Sequence, residues 1–589
     1  MIKRVLFATA LFALAACGAP EDPAPMADPA MTRTVTGGEI VGYRDADTGA
    51  QVWLGVPFAA PPHGPNRWRA PQPVEPWLET RETITHASPC PQITNALNAE
   101  ATGVEPGTLI GSEDCLYLDV YLPSGAGPDD SAPEASDLAG GDGVFDYGRP
   151  VMVWVHGGAN LWGSASQYDA ARLAQERDVM VVVVQYRLGP LGFFAHPALS
   201  EDAPEIMAGD SAPNRTGAAN FALLDLVAAL EWVRENAPSF GGDPERVTIF
   251  GESAGGHNVA ALMASPPAEG LFHRAIIQSG SFESVPLDEA RSGADYAAVE
   301  AARRFAGADP DAAALRAAPL SAVYDAYAAD GVMSGLPRII ADGVTLPEAG
   351  LEAAFEAGDF HRVPVITGAN RDEMKLFNVF DPELTNRLFG VIIRTPDPEL
   401  FEAASEYQSR LWRALAVDAA AGAMTEAGHE AVWAYRFDWD EGGTMLFMDM
   451  SRLLGAAHAM EIPFVFDHFE FFGRLDPALF NGGNEDGRTA LADSMGAYWA
   501  EFARNGDPNG AGGPDWPVWT ETGVLMRFDS PGDGGPELIT GVETVEQIAA
   551  DLAADDRLTA DQKCLVLERL TSWRDTVRTL AAPLIDCEA

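Results

Sequence analysis

One short stretch limits the possible folds of this chain more than any other. A β-rich run from Arg246 to Phe250 meets Gly251-Glu252-Ser253-Ala254-Gly255 and passes directly into an alanine-rich helical pattern over 254–264. Taken alone, G-x-S-x-G is a weak signal: with 58 glycines in 589 residues, roughly 0.3 chance matches are expected. The context makes it specific. Strand, pentapeptide and helix together describe a nucleophile elbow, in which glycines permit a turn sharp enough to lift the serine hydroxyl above the end of a sheet. The match is unique in the chain.

The rest of the sequence supplies a sheet for that elbow. Short apolar runs at 151–155, 179–185, 246–250, 275–278 and 363–367 alternate with helical patterns, clearest at 221–235 and 254–264. Apolar residues at three- and four-residue spacing mark the helices, and near-continuous apolar runs mark strands buried on both faces. The expected fold class is α/β, a mostly parallel central sheet with helices on both faces. The Gly/Pro/Ser/Asp-rich stretch 124–149 reads as a surface insertion in a hairpin, and the alanine-rich stretch 399–435 as a helical cap over the sheet.

A serine hydroxyl attacks a carbonyl only when a base takes its proton and donors hold the oxyanion that forms. The strand at 151–155 ends in His156-Gly157-Gly158-Ala159-Asn160, whose small residues let backbone N–H groups approach a substrate oxygen. The chain order for such a site is serine, acid, histidine. Histidines after residue 370 are His429, His458 and His468; His458 lies among small residues suited to a loop beside an apolar strand, whereas His429 reads as a surface residue. The strand at 363–367 leads to the adjacent acids Asp372 and Glu373, and spacing alone does not choose between them.

With these motifs go Gly55-Val-Pro-Phe-Ala-Ala-Pro-Pro62, Glu113-Asp-Cys-Leu-Tyr-Leu-Asp-Val120, Phe240-Gly-Gly-Asp-Pro-Glu-Arg-Val247 and Phe502-Ala-Arg-Asn-Gly-Asp-Pro-Asn509. From about residue 34 to the C-terminal region the chain is similar to type-B carboxylesterases of the cholinesterase/carboxylesterase family, which have the α/β-hydrolase fold with helical cap insertions. The resemblance implies Ser253 as nucleophile, Glu373 rather than Asp372 as the acid, and His458, from a G-x-x-H-x-x-E pattern, as the base. It implies oxyanion donors at Gly158, Ala159 and Ala254, a disulfide between Cys90 and Cys115, and no metal or organic cofactor. The chain departs from the family at several points. The second disulfide that the family carries after the elbow is missing, and a Cys564–Cys587 pair has no standard counterpart there. Asn160 stands where an aromatic residue is common, and residues 91–114 lack the tryptophan that stacks choline in cholinesterases.

The N-terminus reads as an export signal. Lys3 and Arg4 precede an apolar stretch too short to span a bilayer, and Leu14-Ala15-Ala16-Cys17 resembles the lipobox of bacterial lipoproteins. The expected organisation is a signal peptide over 1–16, a tether over 17–33 lipidated at Cys17, and one catalytic domain over 34–589. The protein is expected in the bacterial cell envelope, touching membrane only through that anchor. Four cysteines remain and allow three pairings; the local one, Cys90–Cys115 with Cys564–Cys587, closes two short loops, in keeping with an oxidising compartment. With 38 basic against 87 acidic residues and a net charge of −49, nucleic acid is excluded as a partner. The expected partner is a small-molecule ester. The competing class, a non-catalytic adhesion protein on the same fold, predicts a broken triad, and every member is present in the sequence.

Overall fold

Met180-Val-Val-Val-Val184 is apolar and buried at every position, as only a strand covered on both faces can be. It belongs to an eleven-stranded sheet in the computed structural model, which describes residues 25–95, 98, 103–126, 148–201, 217–293, 298–328, 339–388, 391–572, 575–581, 584–585 and 587. The strands are β1 (Tyr43–Arg44), β2 (Gln51–Pro57), β3 (Tyr117–Leu122), β4 (Arg149–Val155), β5 (Met180–Val184), β6 (Gly242–Glu252), β7 (Arg274–Gln278), β8 (Val365–Asn370), β9 (Val432–Phe437), β10 (Val524–Phe528) and β11 (Glu537–Thr540). Their spatial order is β11-β10-β9-β8-β7-β6-β4-β5-β3-β2-β1. From β10 through β5 every pairing is parallel; the strands outside that block pair antiparallel.

Alternation along each strand feeds two cores. Val151, Val153 and Val155 of β4 point into one, together with α1 (Phe221–Phe240) and α2 (Ala254–Met263). Met152 and Trp154 point into the other, with α3 (Pro398–Arg413) and α6 (Glu485–Asn505). Between α3 and α6 lie α4 (Ala419–Glu426) and α5 (Ile462–Phe466). A π-helical turn, Ala414–Asp418, joins α3 to α4.

The strand order reverses at β4. The chain leaves β4 to build β5 on one side and returns to place β6 on the other, so the loops after β4 and β6 diverge from a topological switch point. In open α/β sheets the crevice at that point is where ligands bind.

Several expectations are corrected. β3 and β4 do not form a hairpin, because β5 is inserted between them; residues 127–147 of the connecting stretch lie outside the described residues. The helical stretch read over 399–435 stops at Glu426, and Val432–Phe437 is strand β9, its valine, tryptophan and aromatic pattern overriding the alanine run before it. The apolar run after His458 is helix α5, not a strand. The tether read over 17–33 ends sooner: Met31 is buried, Trp53 Nε1 donates to its carbonyl at 2.8 Å, and the Arg33 guanidinium lies 5.0 Å from the Trp53 ring. Cys17 and residues 1–24 lie outside the described residues. Both disulfides, Cys90–Cys115 and Cys564–Cys587, are present. Among the described residues no helix is long and apolar enough to cross a membrane.

Candidate active site

The elbow forms as its residues dictate. Ser253 sits at φ 58°, ψ −124°, a conformation that a non-glycine residue holds only when its surroundings impose it. Its N–H donates to the Gln278 carbonyl at the end of β7 at 2.9 Å, and its carbonyl accepts from His257 N at 2.9 Å in the first turn of α2. Gly255 is required by proximity: a Cβ there would run into the Val155 carbonyl oxygen, so α2 packs against the end of β4 only through a glycine. Ala254 opens α2, and its N–H is one of the donors that a helix N-terminus leaves without an intrahelical partner.

The loop after β4 faces the elbow. Gly158, at φ 100°, has no room for a side chain because a Cβ would strike the Trp162 carbonyl oxygen; Ala159 and Asn160 follow at φ 56° and 59°. The unusual Asn160 is a buried strut. Its Oδ1 accepts from Asn258 Nδ2 of α2 at 2.8 Å and from Tyr186 at 3.4 Å, and the Tyr186 hydroxyl also donates to the His156 carbonyl at 2.6 Å. Burial pushes His156 down to about 4, so it adds no positive charge beside the loop at neutral pH.

Of the adjacent acids, Glu373 reaches the histidine and Asp372 does not. Glu373 is fully buried after β8, and its Oε2 lies 2.5 Å from His458 Nδ1. Its Oε1 accepts from Ser279 Oγ at 2.6 Å and from Asn370 N at 2.7 Å. Asp372 faces Arg371 at 2.7 Å and Lys375 at 3.4 Å; burial alone would raise its carboxyl, but these cations outweigh burial and hold it low. Two backbone hydrogen bonds tie the acid turn to the histidine loop, Asp372 N to Ala456 O at 3.0 Å and His458 N to Glu373 O at 3.2 Å.

His458 Nε2 lies 3.1 Å from Glu252 Oε1, the residue beside Ser253. Burial pushes the imidazole down, but the Glu252 and Glu373 carboxylates outweigh burial and raise it from 6.5 to about 9. Glu252 is itself held well above the usual carboxylate range by burial. Glu461, one turn past His458, is raised to about 7 by burial and by the charge of Glu373; its Oε2 accepts from Asn370 Nδ2 at 2.6 Å and its Oε1 from Gln278 Nε2 at 3.2 Å.

Sequence reading missed this inner shell. Glu252 and Glu461 occupy positions inside the quoted motifs, but nothing in the sequence says that both side chains turn inward. Ser279, Asn370 and Gln278 carry no motif signal. Trp412 and Phe377 also pack on the imidazole, with ring centroids 4.7 and 5.2 Å away. Trp412 borders a cavity of about 420 Å³ with Phe282, Phe355, Leu415 and Glu283, small-molecule scale, beside the π-helical turn. His429, expected at the surface, is buried: it follows α4, and its Nε2–H donates to the Val363 carbonyl at 2.8 Å. Among the described residues no cluster of three or more His, Cys, Asp or Glu is arranged to hold a metal ion.

The comparisons with known proteins agree in extent and kind. The carboxylesterase family profile matches residues 29–415 and 397–533. Cocaine esterase of Homo sapiens is 33% identical over 531 residues, covering 84% of this chain and 86% of that protein. Para-nitrobenzyl esterase of Bacillus subtilis (strain 168) is 31% identical over 513 residues, covering 82% of this chain and 92% of that protein. Among solved structures, a PNB esterase superposes with TM-score 0.66 at 28% identity over 87% of this chain and 97% of its own. A carboxylesterase of Geobacillus stearothermophilus at pH 6.2 gives TM-score 0.66 at 28% identity over 88% of this chain and 99% of its own. With matches of that extent, the chain belongs to the carboxylesterase family and is a hydrolase of carboxylic ester bonds on the α/β-hydrolase fold.

Proposed function

We propose that the protein hydrolyses small neutral esters through an acyl-enzyme on Ser253, with His458 as general base and Glu373 as its orienting acid. The observation that carries this reading is the buried 2.5 Å contact between His458 Nδ1 and Glu373 Oε2, in a loop that faces the Ser253 elbow. Ser253 Oγ attacks the ester carbonyl carbon while His458 Nε2 takes its proton. The N–H groups of Gly158, Ala159 and Ala254 hold the oxyanion, at about 3 kcal/mol per donor where such donors have been removed. The tetrahedral intermediate collapses as His458 returns the proton to the leaving alcohol oxygen. Water, deprotonated by the same imidazole, then releases the acid. None of these steps needs a metal or organic cofactor.

Neutral substrates follow from the charge of −49, which lowers the local concentration of anionic esters at low salt. The same reading anchors the exported chain to the bacterial envelope through lipid on Cys17. The test is Ser253→Ala together with labelling by an organophosphate. Turnover of 4-nitrophenyl esters should vanish and the label should be lost, with the thermal transition unchanged. Substantial turnover in the folded alanine variant would refute the assignment of Ser253.

A further inference from the structure

Exposed apolar residues are normal when scattered; a connected set on a strained element is not. A two-residue hairpin turn, Leu446-Phe447, joins the strands Thr444–Met445 and Met448–Asp449. Both turn residues have positive φ, 47° and 69°, as a type I′ turn demands, and such turns strongly favour Asn-Gly. Two bulky apolar side chains occupy them instead, and Phe447 is 96% exposed. A backbone conformation unfavourable for these residues is thus used to hold an aromatic ring in solvent.

A chain of contacts links this hairpin to a ring that packs on His458. Met448 beneath it accepts at Sδ from Ile393 N at 3.1 Å. Ile393 lies opposite Arg387 in the neighbouring hairpin, and the Arg387 guanidinium lies 5.3 Å from the Phe380 ring. Phe380 N donates to Phe377 O at 3.0 Å, and Phe377 packs on His458. Val391, Phe377 and Phe380 are all exposed, so apolar side chains reach solvent both beside His458 and along the hairpins that lead to the tip. Three arginines lie on the same two hairpins and the helix that follows, Arg387, Arg394 and Arg452, and among the described residues none of them makes an ion pair. In a chain with 87 acidic residues, cations without an ion pair among the described residues, on the elements that carry these exposed apolar side chains, are charge-complementary to phosphate.

We propose that this face docks on a phospholipid surface. Leu446 and Phe447 insert among the acyl chains, Phe377, Phe380 and Val391 lie at the interface, and the three arginines meet headgroup phosphates. The mouth of the site then opens against the leaflet, and esters dissolved in lipid reach Ser253 without crossing water. This last step rests on the esterase reading above; the docking itself does not. The net charge of −49 opposes anionic leaflets, so zwitterionic lipid is the preferred surface.

The test uses the full chain with Cys17→Ser, so that no acyl anchor contributes, with and without the pair Leu446→Asn and Phe447→Gly. The pair restores the sequence the turn prefers, so folding is preserved and thermal stability should rise. Co-sedimentation with phosphatidylcholine vesicles should fall at least fivefold in the paired variant, and so should hydrolysis of a vesicle-dissolved 4-nitrophenyl dodecanoate. Turnover of soluble 4-nitrophenyl acetate should not change. Vesicle binding retained by the variant, or absent from the parent, overturns the proposal. So does a parent dimer in sedimentation that the variant loses, which would make the face a contact between two copies. Vesicle binding that responds as expected in a protein inactive on the soluble ester would support docking and defeat the esterase reading instead.

Discussion

Exchanging the Glu373 carboxylate for its amide isolates what that residue does. In Glu373→Gln the amide must choose an orientation, and the structure chooses for it. At the Oε1 position two donors converge, Asn370 N–H at 2.7 Å and Ser279 Oγ at 2.6 Å, and a backbone N–H cannot become an acceptor. The amide oxygen therefore takes that place and the NH₂ group faces His458 Nδ1. Nδ1 must then accept, which moves the imidazole proton to Nε2, the atom that receives the serine proton in the proposed mechanism. A base held in the wrong tautomer costs about 10⁴-fold in kcat in a serine triad, or about 5.4 kcal/mol at 1.36 kcal/mol per tenfold. Asp372→Asn leaves this contact untouched; it weakens the pairs with Arg371 and Lys375 and the 3.2 Å hydrogen bond that Asp372 Oδ2 accepts from Ala456 N, so its kcat should stay within about tenfold. The assay is steady-state hydrolysis of 4-nitrophenyl butyrate, with thermal unfolding of each variant measured in parallel. A folded Glu373→Gln within tenfold of the parent, or the opposite ranking of the two variants, would refute the reasoning.

Because the folded His458 titrates near 9, activity should keep rising with pH well beyond 6.5, and Glu252→Gln should move the midpoint of kcat/KM downward by removing one of the two carboxylates beside the ring. Stability should run the opposite way: the proton on His458 stabilises the fold fully below 6.5, and that contribution fades as pH rises through about 9, which thermal melts across that window will read. Gly255→Ala should lower stability by about 1–3 kcal/mol, measured by denaturant unfolding, because its Cβ meets a backbone oxygen that cannot rotate away. Cys17→Ser should move most of the enzyme out of the membrane fraction with kcat on soluble esters unchanged; mass spectrometry of the native N-terminus should find lipid on Cys17.

What could be read from the sequence was local. The elbow is contiguous, so strand, glycines, serine and helix announce one another, and β4 with its glycine loop does the same. The choice between Asp372 and Glu373 is not local: adjacent residues after a strand point in different directions, and only Arg371, Lys375 and the 454–461 loop determine which of them meets the histidine. Glu252, Glu461, Asn370, Gln278 and Ser279 come from four separate stretches of chain, and a lone polar residue gives no pattern. β9 was hidden because alanine favours helix and its run ends only a few residues earlier. His429 was misjudged for a similar reason. Its neighbours are polar, but its ring N–H is aimed at a backbone carbonyl 66 positions away.

The paired backbone hydrogen bonds between the acid turn and the histidine loop have a mechanical consequence. Asp372 to Ala456 and His458 to Glu373 make those two segments a single cartridge, which the end of β7 grips through Ser279 and Gln278, while the Ser253 N–H hangs on the Gln278 carbonyl of the same strand. Thermal breathing of the site therefore reaches the serine–imidazole distance through the end of β7. The imidazole keeps its carboxylate while its distance to the serine fluctuates, and in this structure Nε2 is parked against Glu252, 3.1 Å away. Heating should first erode the rate of acylation and only later the histidine–glutamate couple, so inactivation would begin as a loss of alignment in a protein whose imidazole is still held by its acid.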